Sequence, residues 1–432
     1  MFSRLRNMFR VPDLRKKILF TICVIALFRF GTYLPLPYID LSTVKQISDQ
    51  ATQNGVVGLL NLFSGGGLLH GAVFALGIMP YITASIIMQL LTVAIPKLEQ
   101  WQQEGQTGQK KITQWTRYVT LVLALVQSVG LTIAWSRGGN FLGTQLNSIF
   151  LGQLNIWRGA LVVVSLVAGT ALVMWFSELI TQRGIGNGMS LLIFTSVVSQ
   201  LPAQLVGVWQ EGTKLQFFVI IGVGLAMIVG VVFVESGQRR IPVQFAKRVV
   251  GRRMYGGQST FIPLKVNQAG VVPVIFASTL LQFPAVIAQI TPWTGFQKWV
   301  DTHLVQGTGW IYISLFTLLI IFFTYFYNAI AFNPQQQADI IRKQGGFIPG
   351  IRPGPPTERY LARILNRITL PGAIFLAIIA LVPLLVIAIW NIKNFPFGGT
   401  SLLITVGVAL ETMKQIDSQL TLRNYEGFLA TP

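Results

Sequence analysis

The sequence predicts an all-α membrane protein with ten transmembrane helices, and three observations lead there. Of its 432 residues 52% are hydrophobic and only 11% charged, with a mean hydropathy of +0.60. Soluble domains carry about 25% charged residues. Apolar runs recur along the chain at about 20 residues each, enough to cross a hydrocarbon core of roughly 30 Å. Basic residues, finally, crowd into alternate connections between those runs.

The runs fall near 18–36, 72–95, 118–136, 156–177, 188–208, 216–235, 268–290, 310–332, 368–390 and 399–415. Arg4, Arg6, Arg10, Arg15, Lys16 and Lys17 precede the first. No small-residue cleavage site follows it, so it is expected to stay as an anchor. It holds Cys23, the single cysteine, read as a small buried apolar residue. It also holds Arg29, whose plain reading is a side chain snorkelling to the outer interface. Ahead of the second run lies LFSGGGLLHGAVFALGIMP, residues 62–80, with five glycines, His70 and Pro80. Glycine costs a helix about 1 kcal/mol and proline about 3. The stretch is apolar but too broken for a clean span.

An even number of spans puts both termini on one side. Of the 33 Lys and Arg residues, 26 lie in the N-terminus, the even-numbered connections and the C-terminal tail. By the positive-inside rule that side is cytoplasmic. The net charge of +19 is therefore largely one-sided and requires no nucleic acid. Two cytoplasmic loops exceed what a hairpin needs. Residues 237–267 carry seven basic side chains and no acidic one, and 333–367 enclose FIPGIRPGPPTERY. Such loops attract anionic lipid, at about 1 kcal/mol per residue near the surface. They equally offer docking surfaces for anionic partners such as ribosomal RNA. Five spans in each of 1–208 and 209–432 give the halves opposite orientations, the topology of an inverted repeat.

Enzyme chemistry finds little support. His70 and His303 are the only histidines and no HExxH pairs them, so no metal site is expected. GIGNG at 184–188 is neither a Walker loop nor a dinucleotide fingerprint. No GxSxG appears, and no cofactor is expected. A small-solute carrier normally keeps ionisable residues within the membrane. Here the candidates are Arg29, Glu178 and Glu411, the last two near cytoplasmic span ends where water is within reach. The spans carry uncharged polar residues instead: Thr83, Ser85, Gln89, Asn187, Ser190, Asn267, Gln268 and Ser278. Interhelical hydrogen bonds are their ordinary use. Ile78, Ile82, Ile193, Ile275 and Ile404 read as packing from composition alone. An apolar constriction can nevertheless gate a pore by excluding water.

FALGIMPYITASIIMQLL (74–91) closely resembles the second span of the SecY family of protein-conducting channels. In the family's order, so do RFGTYLPLPYID (29–40), ITQRGIGNGMS (180–190), RRMYGGQSTFIPLKVNQAGVVPVIFAS (252–278), FIPGIRPGPPT (347–357) and GGTSLLI (398–404). The match runs nearly the whole chain, and its pattern is bacterial, with a cyanobacterial or plastid-like cast. The resemblance implies an hourglass pore between two inverted five-helix halves that opens axially for secreted chains and sideways into lipid. By motif, Ile78, Ile82, Ile193, Ile275 and Ile404 form its apolar ring, although Met189 and Leu192 depart from the family's usual isoleucines. A lateral gate between the second and third spans and the seventh and eighth brings Met79, Thr83 and Ile86 opposite Ser278 and Phe283. A polar cluster of Gln89, Asn187 and Asn267 is expected to hold it shut.

The broken stretch resembles the family's re-entrant plug, a short helix near 57–70 that includes Leu62, Phe63, Ser64, Gly65, Gly66, Gly67 and Leu68. Backbone of that kind is tolerated at membrane depth only inside protein or a watery funnel. His70 is expected as a polar hinge residue, not a ligand. Arg252 and Arg352 match the family's contacts with the ribosome and the SecA motor ATPase, with Lys247, Arg248 and Arg253 in support. Gly350, Pro353 and Gly354 are expected to fix the turn that projects Arg352. SecE-like and SecG-like small subunits, signal sequences, translocating polypeptides and the lipid bilayer complete the implied partners. The implied site is a bacterial plasma membrane, or a thylakoid, with both termini cytoplasmic. Two other classes stay open on the residues: an inverted-repeat secondary transporter, and a non-conducting ribosome-docking insertase or scaffold.

Overall fold

The computed structural model describes residues 11–40, 61–137, 139–141, 144–146, 155–211, 213–245, 248–250, 253–255, 259–290, 293–305, 309–390 and 398–429. Helix α1 (Pro12–Gly31) opens with proline in its first turn and Asp13 beside it. Proline lacks only an N–H that would be unpaired there anyway, and the carboxylate favours the positive helix end. Helices α2 (Met79–Ala94) and α3 (Pro96–Gln103) meet at Ile95 and bend by 101°. A residue before proline is pushed out of the helical region. Ile95 is accordingly extended, at φ −111° and ψ 114°.

Helix α4 (Gln106–Arg137) and a small hairpin, β1 (Gly139–Phe141) with β2 (Thr144–Leu146), lead to α5 (Ile156–Arg183) and α6 (Gly188–Glu211). Helix α7 (Lys214–Ser236) starts from a capping box in which Thr213 and Gln216 serve each other's backbone. Four strands follow: β3 (Gln238–Phe245), β4 (Arg248–Val250), β5 (Arg253–Tyr255) and β6 (Ser259–Lys265). Then come α8 (Val272–Ile290), α9 (Thr294–Val300), a π-turn at Asp301–Val305 and α10 (Trp310–Ala331). Helix α11 (Pro334–Lys343), strand β7 (Gly346–Phe347), α12 (Pro355–Trp390) and α13 (Gly399–Leu429) complete the chain.

Each of the ten predicted runs falls on a helix. By length and apolarity, however, six described helices can cross a membrane, or seven if α2 and α3 form one broken span. The count of ten is not reached on that measure for local reasons. Helix α1 carries Arg15, Lys16, Lys17 and Arg29, and α13 includes Glu411 and Lys414.

Packing repeats itself along the chain. In the first run of five, α2 packs on α4, α4 on α5, α5 on α6, and α1 on α5 and α6. In the second, α8 packs on α10, α10 on α12, α12 on α13, and α7 on α13 and α12. The two runs touch through α2 and α4 against α8, and through α6 against α13 and α7.

The basic loops are not simple hairpins. Strands β6, β3 and β7 form one antiparallel sheet, so Gln244 of the first loop pairs with Phe347 of the second. Ile241, Val243 and Leu264 share an apolar cluster with Ile341, Ile348, Leu361 and Ile364. The alternation of IPVQF, buried at Ile241 and Val243 and exposed between them, is the strand signature.

Candidate functional site

The five predicted ring residues come from four helices and fall in one buried apolar cluster. Ile78 caps α2 and Ile82 sits one turn further on, which places both on one helix face. Ile193 lies on α6, Ile275 on α8 and Ile404 on α13. All five are buried, none more than 8% exposed, and they belong to one contiguous apolar cluster. All four helices are among those through which the two runs of five touch.

Leu62, Phe63 and Leu68 belong to that same cluster. The expected short helix is represented among the described residues by one helical turn, Asn61–Phe63, and the chain then runs through turns to Ile78. Residues 57–60 lie outside the described residues. Ser64, Gly65, Gly66 and Gly67 are buried. Gly77 carries φ +55°, and an added Cβ would lie 2.7 Å from Ser64 Cα and 2.8 Å from the Phe63 carbonyl oxygen. Only glycine permits this backbone to lie against the first turn of α2. Ser64 Oγ donates to the Asn61 carbonyl at 3.0 Å and accepts from Leu68 N at 3.0 Å, closing the turn on itself.

Arg29 departs from the snorkelling expectation. Its guanidinium turns inward, donating from Nη1 to the Gly65 carbonyl at 2.7 Å and from Nη2 to the Tyr33 hydroxyl at 3.0 Å. His70 is half-buried and stacks on Tyr33 at 5.0 Å. No group of three metal-ligating side chains occurs among the described residues. Cys23 also departs from expectation: it is exposed on α1, where a small apolar side chain faces outward.

On the predicted gate, Met79, Thr83 and Ile86 are buried on α2 at positions i, i+4 and i+7, one helix stripe. Ser278 is buried on α8 with Oγ donating to the Ile275 carbonyl at 2.9 Å, and Phe283 is half-buried. Gln89, Asn187 and Asn267 share no hydrogen bond among the described residues. Asn187 is spent on capping α6, its Oδ1 accepting from Met189 N at 3.0 Å. Gln89 is exposed in a cavity of about 400 Å³ that also meets Tyr81, Ser85, Thr113, Thr116 and Tyr327. Asn267 donates from Nδ2 to Glu235 at 2.8 Å and to the Gly270 carbonyl at 2.9 Å. The amide needs two acceptors out of water, and the end of α7 supplies the nearer one.

Of the docking residues, Lys247 and Arg252 lie outside the described residues. Arg248 and Arg253 sit at the ends of the β4–β5 hairpin, paired with Tyr255 and Val250. Arg352 is exposed in a turn bounded by Gly350 at φ +80° and Gly354 at φ +107°, as the spacing predicted. Thr357 Oγ1 donates to the Arg352 carbonyl at 2.9 Å and steadies it.

Sequence reasoning missed two polar pairs. Arg117 on α4 grips Glu178 on α5 with two bonds of 2.7 and 2.6 Å, so Glu178 is tied by an ion pair and not left to water. Glu235 is buried against Asn267. Neither pair leaves a local signal, because 61 and 32 residues separate the partners.

Residues 72–413 match the SecY family model. The chain belongs to the SecY family. It is 53% identical over 437 residues to the protein translocase subunit SecY of Streptomyces galbus, covering 99% of this chain and 100% of that one. It is 50% identical over 444 residues to the same subunit of Mycobacterium bovis, with 99% and 100% covered. Among solved structures, a protein-conducting channel superposes with a TM-score of 0.61 at 18% identity, covering 93% of this chain and 91% of the other. Sec61 in the canine ribosome-channel complex from the endoplasmic reticulum gives 0.61 at 17%, with the same coverage. At these identities the structures speak for the fold. This SecY-family chain is a bacterial-type, multi-pass, mostly helical membrane protein with the architecture of those channels.

Proposed function

We infer that the chain is the pore-forming subunit of a protein-conducting translocation channel. The observation that carries the reading is a shared buried cluster. Isoleucines from α2, α6, α8 and α13 share one buried cluster with the 62–68 segment, on the very helices where the two runs of five meet. A collar of branched aliphatic side chains offers an ion no ligand and excludes water when closed. The same collar binds no particular sequence, so an extended polypeptide of any composition slides through with little loss.

In this reading 1–208 and 209–432 are the two halves, Ile78, Ile82, Ile193, Ile275 and Ile404 form the ring, and 62–68 is the plug. Gating is small movement of one half against the other. The contact of α2 and α4 with α8 supports a lateral gate there, with Met79, Thr83, Ile86, Ser278 and Phe283 along the seam. The Asn267–Glu235 bond ties the segment leading into the gate helix α8 to the end of α7, a fastening of a few kcal/mol suited to a bistable element. Gln89 and Asn187 then act on the passing chain or the helix cap instead of closing a shared cluster.

The two basic loops are the docking face for ribosome and SecA motor, through Lys247, Arg248, Arg252, Arg253 and Arg352. Ribosome association is supported by the likeness to Sec61, which is seen in a ribosome-channel complex. SecE-like and SecG-like subunits complete the channel. The termini face the cytoplasm, in a bacterial plasma membrane or, in a compartmented cell, a thylakoid. The transporter alternative loses ground because Glu178 is held by Arg117. The chain performs no catalysis itself and draws its energy from its partner.

The test is reconstitution into sealed vesicles with the small subunits, a motor ATPase and ATP. Precursor proteins are expected to become protease-protected. Flux of a small solute with no precursor movement would overturn the reading, and ribosome binding without any translocation would favour the scaffold.

A further inference from the structure

The 61–73 segment is fastened differently at its two ends. At the 71–73 end, backbone does the work: Leu36 N donates to the Gly71 carbonyl and Val73 N to the Leu34 carbonyl, both at 2.9 Å. This short ladder, with its bridge between Pro35 and Ala72, joins the segment to the chain following α1. At the 61–65 end, side chains from two helices hold backbone carbonyls. Arg29 Nη1 of α1 donates to Gly65 at 2.7 Å, and Gln200 Nε2 of α6 donates to Asn61 at 2.8 Å.

Arg29 is built for that task. Gly65 stands at φ +66°, and an added Cβ would come within 3.2 Å of Arg29 Nη1 and 3.3 Å of Ser196 Oγ. The missing side chain is what allows the guanidinium to reach the carbonyl. Tyr33, one turn on, accepts the second bond at 3.0 Å, and its ring lies 5.2 Å from the guanidinium carbon. A planar fork serves both partners at once, which an ammonium cannot do in the same fixed geometry. A charged donor also makes the shorter and stronger bond.

We propose that Arg29 is a positioning residue that latches the 61–65 end of the plug in the closed channel, while the 71–73 ladder remains as the hinge. This rests on the plug reading given above. Two side chains release more readily than a backbone ladder, so the segment swings about Gly71, itself at φ +57°. Gln200 is the second half of the latch and sits one helix stripe from the ring, since Ile193, Ser196, Val197 and Gln200 recur at helical spacing on α6.

The experiment measures resting ion conductance of the purified full channel complex in planar bilayers. It compares wild type, Arg29→Ala, Arg29→Lys, Gln200→Leu and a deletion of 62–68. Loss of one charge-assisted bond is expected to raise resting conductance about tenfold in Arg29→Ala. Arg29→Lys keeps one bond and should rise only a few-fold, as should Gln200→Leu. In the deletion background Arg29→Ala should add nothing.

If the deletion leaks while Arg29→Ala stays as tight as wild type, the latch is wrong and the plug stands. If the deletion itself stays tight, the plug reading fails and the latch with it. An equal rise from Arg29→Ala with and without the plug would assign the side chain to the fold and overturn the proposal. Should Arg29→Ala fail to accumulate, Arg29→Lys and Gln200→Leu decide the matter by the same comparison.

Discussion

Ile275 illustrates how a side chain acquires meaning only from its neighbours. On α8 it is one aliphatic among many, yet it lies buried in the cluster shared with Ile78, Ile82, Ile193 and Ile404. A carboxylate placed there would hydrate the constriction and offer passing cations a ligand. Ile275→Asp is therefore expected to raise resting ion conductance at least as much as removal of the plug; an unchanged resting current in planar bilayers would remove Ile275 from the ring. The sequence made these five positions visible through motif resemblance, not through chemistry, because isoleucine reports burial without saying what is buried against it. Arg29 is the opposite case. Its charge within an apolar run was conspicuous, but the partner, Gly65, is 36 residues away and contributes only a carbonyl. Backbone acceptors have no sequence signature, so snorkelling was the natural reading and geometry alone could replace it.

Helices and strands differed in how much they disclosed. Apolar runs located a helix at each of the ten expected places, while the 101° turn at Ile95–Pro96, just past the end of the second run, came from the structure. The sheet built from β6, β3 and β7 stayed hidden because seven basic residues dominate 237–267 and mask its short alternating strands. Between helices, the Arg117–Glu178 pair fastens α4 to α5 with two short bonds. Glu178 is 13% exposed and Arg117 43%, so removing only the base leaves a largely buried carboxylate unpaired. Arg117→Leu is expected to cost about 1–3 kcal/mol, read as a lowered melting midpoint in mild detergent. Because an apolar replacement of both partners can be nearly neutral, Arg117→Leu with Glu178→Leu should recover most of the loss. Equal melting of the single variant and wild type would show that the pair contributes nothing.

At the scale of the whole molecule, the same order of neighbours recurs in the two runs of five, and the runs meet along two seams. In the proposed channel, one seam would carry the candidate gate and the other would close the ring, so that one half could rock about the buried cluster. The two basic loops form a separate unit, in which β3 pairs with both β6 and β7. Arg352 is exposed at the turn beside that unit. Arg352→Glu reverses its charge without disturbing the glycines that shape the turn, so motor-driven export should fall severely while membrane insertion and melting stay unchanged. Normal precursor protection in vesicles carrying the variant would take the loop out of the mechanism.

The Gln244–Phe347 pairing has a further consequence for any partner that grips both loops. Two flexible arms would have to be captured one after the other, each at its own entropic cost. Loops stapled into one sheet instead present two handholds at a fixed separation, so the second engagement is intramolecular and favoured by high effective concentration. Each handhold can then be individually weak. A ribosome or a motor would hold firmly while both are engaged, yet lose its grip stepwise to a rival that takes one handhold first. For a channel with such partners, rapid exchange would follow from a short stretch of strand pairing.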